Sequence, residues 1–172
     1  MHADSSASEG SQTEPVPTGD EPPEPFHLQT PAGFVPADQK WLSDHLEQLQ
    51  GHLPREVEQI NIRLLDDAGM SKLHLQWKGL EGPTDVLSWF HSSGDQPLEA
   101  DLAVGHEVAA REAALRGHPV RQELLLYIVH GILHGCGFDD LVPEAAARMH
   151  AEEDRILALL GVEATYTREA SE

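Results

Sequence analysis

Val129-His130-Gly131-Ile132-Leu133-His134-Gly135-Cys136-Gly137-Phe138-Asp139-Asp140 ends an apolar run that opens at Leu124. On a helix, residues four apart lie one above the other, so His130 and His134 can present ring nitrogens to one ion. Alone, a His-x-x-x-His pair is a weak sign, because histidines in apolar helices are often only hydrogen-bonded. The continuation strengthens it. Gly137 can take a left-handed conformation, end the helix and turn the chain, so that Asp140, three residues on, returns toward the two rings. His130, His134 and Asp140 then form an i, i+4, i+10 set of ligands for one divalent metal ion, zinc by preference, with positions left for water or substrate as in catalytic sites. Zinc proteases of the His-Glu-x-x-His type need a glutamate beside the first histidine, and that position here is Gly131. Peptide hydrolysis by that route is disfavoured. Cys136, two residues past His134, faces away from the pair and reads as a small buried residue.

Outward from this stretch, residues 119–136 read as a core helix, 106–116 and 143–160 as helices on either side of it. The last carries Ala145, Met149, Ile156, Leu157 and Leu160 on one stripe and stops at Gly161. Trp41, Leu42, His45, Leu46 and Leu49 recur at helical spacing, predicting a helix over 37–50. The β-branched run from Val57 to Leu65 predicts a strand, and Asp66-Asp67 an N-cap leading into a short helix with Met70, Leu73 and Trp77. Further strands are expected at 84–90, past Pro83, and at 98–104. The class is α/β (α+β): a small mixed sheet of about four strands packed with about five to six helices, the metal site at the C-terminal end of a core helix.

The 172 residues, 40% of them hydrophobic, suit one domain, expected over 37–163 with a short flexible tail at 164–172. Residues 1–36 hold seven of the twelve prolines, six acids and no Lys or Arg, and are expected to be an unfolded acidic leader. Thirty acids against eleven Lys and Arg give a formal charge of −19, which disfavours a generally basic nucleic-acid coat or an electrostatic membrane anchor. One cysteine excludes an internal disulfide framework and any site needing two thiolates from this chain. With no apolar run approaching the roughly 20 residues of a membrane span, the expected location is the cytoplasm, with no membrane partner.

The segment from His130 to Asp140 resembles the signature of the YbeY-type rRNA-maturation endoribonucleases, His-Gly-x-Leu-His-Leu-x-Gly-Tyr-Asp-His. Pro83-Thr84-Asp85-Val86-Leu87-Ser88-Trp89 is similar to that family's Pro-Thr-Asp-Val-Leu-Ser-Phe, and Ala100 to Val104 to its Gly-Asp-Ile strand. Met149 and Ile156-Leu157 sit where its last helix carries Met and Ile-Leu. The likeness runs over residues 55–161. It implies a metal-dependent nuclease that hydrolyses phosphodiester bonds of single-stranded rRNA precursor, in rRNA maturation and ribosome quality control, with the ribosome or its small subunit as partner and no DNA. An assembly factor that keeps fold and metal but cleaves little is the alternative.

Two departures stand out. The family's third ligand is His where this chain has Asp140, whose negative charge should leave bound water less acidified. The family's phosphate-contacting arginine is replaced by Lys78, which keeps the charge but not the bidentate fork, and His74 replaces an Asn. Lys78 and His130 are the residues expected to carry catalysis, Asp139 is expected to orient a histidine, and Thr84, Asp85 and Ser88 to shape the cleft floor. An acidic domain must grip RNA locally, with Arg55, Arg63, Lys72, Lys78, Arg111, Arg116 and Arg121 as candidates.

Overall fold

A computed structural model describes residues 24–163, which form a four-stranded sheet with helices against it. The elements are β1 (Phe26–Gln29), α1 (Pro36–Leu49), a 3₁₀ turn (Gln50–His52), β2 (Val57–Leu65), α2 (Asp67–Lys78), β3 (Val86–Phe90), β4 (Leu98–Gly105), α3 (His106–Arg116), α4 (Val120–Gly135) and α5 (Pro143–Leu159). The strand order is β1-β2-β4-β3, parallel except for β3, which runs antiparallel to β4 at one edge. The α/β class is as expected. Among the described residues no helix is long and apolar enough to cross a membrane.

The domain boundary expected at residue 37 moves toward the N-terminus. Phe26–Gln29 pair with Ile60–Arg63 of β2, and Pro25 O accepts from Ile60 N at 2.7 Å. Local composition hid this strand, because its support is a partner more than thirty residues away and only Phe26 and Leu28 pack into the core. Residues 1–23 of the expected leader and the expected tail 164–172 lie outside the described residues.

Alternation along the strands assigns the two sheet faces. Ile60, Ile62 and Leu64 of β2 and Leu98, Ala100, Leu102 and Val104 of β4 are buried with α1, α4 and α5 in the main core. Each of the Ile, Leu and Val side chains contributes about 1.5–3 kcal/mol by leaving water. The opposite face is covered only in part: Met70 of α2, with Leu65 and Leu73 beside it, packs on Leu87 and Ala103. Asp66 caps α2 as its sequence suggests, accepting from Gly69 N at 2.8 Å, and Gly79 ends that helix at φ 67°.

α4 is buried nearly all round, from Glu123 to Leu133, as expected for an apolar helix in the middle of a layered domain. It approaches the sheet unusually closely. A Cβ on Gly131 would lie 2.9 Å from both Leu102 Cδ2 and Ser88 Oγ, and one on Gly135 would lie 2.6 Å from Phe90 Cε1. These two glycines, four apart, are the contact stripe. His130 and His134 each sit one position earlier and so flank it.

Candidate metal centre

The last turn of α4 closes in a Schellman arrangement: Phe138 N donates to Leu133 O at 3.1 Å and Gly137 N to His134 O at 3.3 Å, with Gly137 at φ 94°. This reversal returns the chain past its own helix end. Asp140 Oδ2 comes to 3.6 Å from His130 Nε2, and one donor atom each from His130, His134 and Asp140 lie within 4.8 Å of one another. The three residues expected from the spacing therefore converge. From outside the segment, Arg55 Nη1 donates to Gly135 O at 2.8 Å, satisfying an end carbonyl of α4, while Arg55 Nε and Nη2 donate to Gln96 O.

Hydrogen bonds at the far side of each ring fix which nitrogen faces the cluster. His134 Nδ1 lies 3.2 Å from Phe138 O, and a carbonyl only accepts, so Nδ1 carries the proton. His130 Nδ1 lies 2.5 Å from Glu153 Oε1, again an acceptor. For neutral rings both Nε2 atoms are then lone pairs, and they face each other at 3.1 Å. Two lone pairs at that distance beside a carboxylate repel unless a proton or a cation lies between them, and this donor set fits a divalent ion. His130 shows the same demand: burial opposes its charged form, but the Glu153 hydrogen bond and the charges of Glu153, Asp85 and Asp140 outweigh burial and hold its protonation above the ordinary histidine range.

Glu153 is the functional residue that motif reading misses. It projects from α5 fully buried, in line with Met149 and Ile156, and an acid in the middle of an apolar stripe was the available signal. Asp139, expected to orient a histidine, instead accepts from Leu141 N at 2.7 Å and stabilises the turn. Asp85 binds its own neighbours, Thr84 Oγ1 at 3.0 Å and Val86 N at 2.8 Å, at the start of β3, and Ser88 Oγ donates to Gly131 O at 3.3 Å. Of these three, expected to shape the cleft floor, Ser88 is the one hydrogen-bonded to α4.

Lys78 is the last residue of α2, exposed, and makes no hydrogen bond or ion pair among the described residues. The loop after it is tied back by His74 Nδ1 to Gly82 O at 2.9 Å before it reaches Asp85. Of the other cations expected to grip RNA, four are committed elsewhere. Arg55 holds Gly135 and Gln96, Arg111 pairs with Asp67, Arg116 with Glu112 and buried Glu123, and Arg121 with Asp38 while lying over Trp41. Arg63, Lys72 and Lys78 are left, on β2 and α2.

A family model described as Endoribonuclease YbeY matches residues 34–161, which takes in every element from α1 to α5. The chain belongs to the Endoribonuclease YbeY family. A YbeY relative from Methylocella silvestris, named Endoribonuclease YbeY, is 37% identical over 124 residues, covering 70% of this chain and 69% of that protein. One of the same name from Mycobacterium tuberculosis is 36% identical over 110 residues, 58% of this chain and 62% of its own, so the alignment spans a little under two thirds of that relative. An Arabidopsis thaliana protein named Endoribonuclease YBEY, chloroplastic, is 34% identical over 134 residues, 75% of this chain and 22% of its own. The solution structure of TM1509 from Thermotoga maritima superposes with a TM-score of 0.54 at 21% identity, over 78% of this chain and 90% of that one, a likeness of fold. The YbeY match covers α4 and α5 together, and so includes Glu153 as well as the three donors.

Proposed function

We propose that the protein is a metal-dependent, single-strand-specific endoribonuclease that acts on rRNA precursor in the cytoplasm, in rRNA maturation and ribosome quality control, with the ribosome or its small subunit as the setting. The observation that carries this reading is the convergence of the His130 and His134 Nε2 lone pairs with the Asp140 carboxylate. Family membership supplies the substrate class.

A divalent ion held by these three residues, zinc by preference, would supply Lewis-acid polarisation of a phosphoryl oxygen and an acidified water. The chain's own residues do the rest. Glu153 and Phe138 O hold both rings with Nε2 forward. Asp140 brings a negative charge that an imidazole would not, which would lower the net positive charge of the loaded centre and leave water there a weaker acid. Lys78 offsets charge developing on the phosphate as a point cation without the geometric grip of a guanidinium. Gly131 occupies the position where zinc proteases carry their general base, and the sheet leaves no room there for a larger residue.

Cleavage of single-stranded rRNA precursor by the purified protein, with and without chelator and with Asp140→Ala, tests the proposal. Expected are cleavage by the metal-loaded protein, loss on chelation with recovery on adding zinc, and a loss of at least about tenfold in Asp140→Ala, the cost of a disturbed ligand set. Cleavage indifferent to chelator refutes the metal role. Absence of cleavage by the metal-loaded protein refutes the nuclease reading and leaves the assembly factor.

A further inference from the structure

The sheet face opposite α4 carries an open groove of about 380 Å³, within the range of small-ligand sites, about 300–1,000 Å³. Its apolar lining comes from Leu73 and Trp77 of α2 and Trp89 of β3, and its polar lining from Asn61 and Arg63 of β2 and Asp101 of β4, Asp101 being the direct cross-strand partner of both Trp89 and Asn61. Trp77 is 57% exposed, an unusual place for an indole with no burial to gain. It meets Trp89 edge-on, ring centres 5.7 Å apart at 69°, so the pair makes a corner with a free ring face. Beside Trp89, Asp101 is held by Asn61 Nδ2 at 2.8 Å and His91 Nε2 at 2.7 Å, a fixed row of hydrogen-bonding groups near Arg63, whose charge acts on Asp101 and whose guanidinium makes no hydrogen bond among the described residues.

We propose that this groove receives an unpaired base of the RNA strand, stacked in the Trp77–Trp89 corner with the flanking phosphate at Arg63. The inference rests on the nuclease reading for its choice of ligand class and adds to it a second contact on the far face of the sheet. Three observations favour RNA over another occupant. Aromatic faces next to a guanidinium and a fixed polar edge are the combination that holds single-stranded bases. Arg63, Lys72 and Lys78, the cations among the seven RNA candidates that are not committed to structure, lie on the two elements that border the groove. β3 is an edge strand, with Ser88 at Gly131 of α4, the neighbour of His130, and Trp89 lining the groove, so the faces that hold the metal centre and the corner meet along this edge.

The test titrates the full-length, metal-loaded protein with single-stranded oligodeoxyadenylate, which presents bases without a ribose 2′-hydroxyl, and follows indole fluorescence. In parallel, kcat and KM are measured on single-stranded RNA. Wild type is expected to quench. Trp77→Ala should bind about 5- to 150-fold more weakly, the range measured for one base–aromatic stack, with Trp77→Phe retaining most of the affinity. Trp77→Ala should also raise KM for RNA while kcat stays within about twofold, the mark of a contact shared by ground and transition states. Arg63→Gln, exposed and remote from the core, should reduce the salt slope of binding by about 0.7 even if Trp77→Ala does not fold. Unchanged affinity in Trp77→Ala with an unchanged slope in Arg63→Gln overturns the proposal, as does a Trp77-dependent dimer in sedimentation that competes with the oligonucleotide. Quenching without cleavage sinks the nuclease reading and leaves the groove standing; cleavage without quenching does the reverse.

Discussion

Replacing Glu153 by Gln probes the centre without touching a ligand. The carboxylate is fully buried, its Oε1 lies 2.5 Å from His130 Nδ1, and its Oε2 has no hydrogen-bond partner. Gln keeps the volume and an acceptor for the Nδ1 proton but removes the charge that makes the ring more basic. Loss of such a ligand-orienting carboxylate costs about 10–100-fold in metal affinity, or about 1.4–2.8 kcal/mol. Stability of the metal-free chain should fall far less. His130 can shed its proton once the carboxylate is gone, so no orphaned charge remains, and the exchange is bounded by one hydrogen bond, about 0.5–1.5 kcal/mol. The Gln amide nitrogen takes the place of Oε2, so a buried polar atom without a partner stands there in both chains and largely cancels from the comparison. Competition against a chromophoric zinc chelator, with thermal melts in the presence and absence of zinc, separates the two quantities: the zinc-induced rise in melting temperature should shrink while the metal-free melt stays nearly in place. Wild-type zinc affinity in Glu153→Gln, or a metal-free melt that falls as far as the metal-bound one, would show that Glu153 is there for packing and refute the argument.

Gly131→Ala should cost about 1–3 kcal/mol in urea unfolding, since its Cβ meets Leu102, Ser88 and Val86 at 2.9–3.0 Å and none of these is a loose surface side chain; an unchanged midpoint would mean that α4 lifts off the sheet freely. Burial pushes the Cys136 thiol up to about 11, against a smaller opposing effect of Arg55, so at neutral pH about one thiol in ten thousand is ionised. Iodoacetamide should therefore label the folded chain at least about 100-fold more slowly than the urea-unfolded one, and equal rates would place Cys136 in open solvent. Naked single-stranded RNA should bind with a log–log salt slope near −2, about −0.7 for each of Arg63, Lys72 and Lys78, and a slope steeper than about −4 would show that the paired arginines also leave their partners for phosphate.

Most of the architecture is legible because its signals are local. The apolar periodicity of α1 and α5, the alternation of β2 and β4, the Asp66 cap and the glycine stops each act within a few residues, and the elements fall within two or three residues of where these place them. What escapes is set over distance. β1 owes its existence to Ile60–Arg63, and nothing in Phe26-His27-Leu28-Gln29, set between Pro25 and Pro31, announces it. Arg55 completes the end of α4 from 80 residues away, through a backbone carbonyl that has no identity in the sequence. Asp139 and Glu153 show the same divide inside the site. Proximity in sequence points to Asp139, yet an acid next to a tight turn is drawn to the nearest free N–H, here Leu141, while the buried acid on another helix has no competing partner and takes the imidazole.

The centre also explains why its signature has glycine where related metal motifs have a general base. The sheet sets how deep α4 sits, through contacts that admit no Cβ at Gly131 or Gly135. The stripe one residue earlier then lies at the rim of that contact, where His130 reaches Glu153 of α5 behind it and solvent in front. A Glu at position 131 would have to displace Leu102 and Ser88, lift the helix and pull His130 away from Glu153. A general base at position 131 is thus excluded by packing before any question of pKa arises. Asp140, 41% exposed and returned by the turn at Gly137, lies on the open side of the rings with its Oδ2 3.6 Å from His130 Nε2.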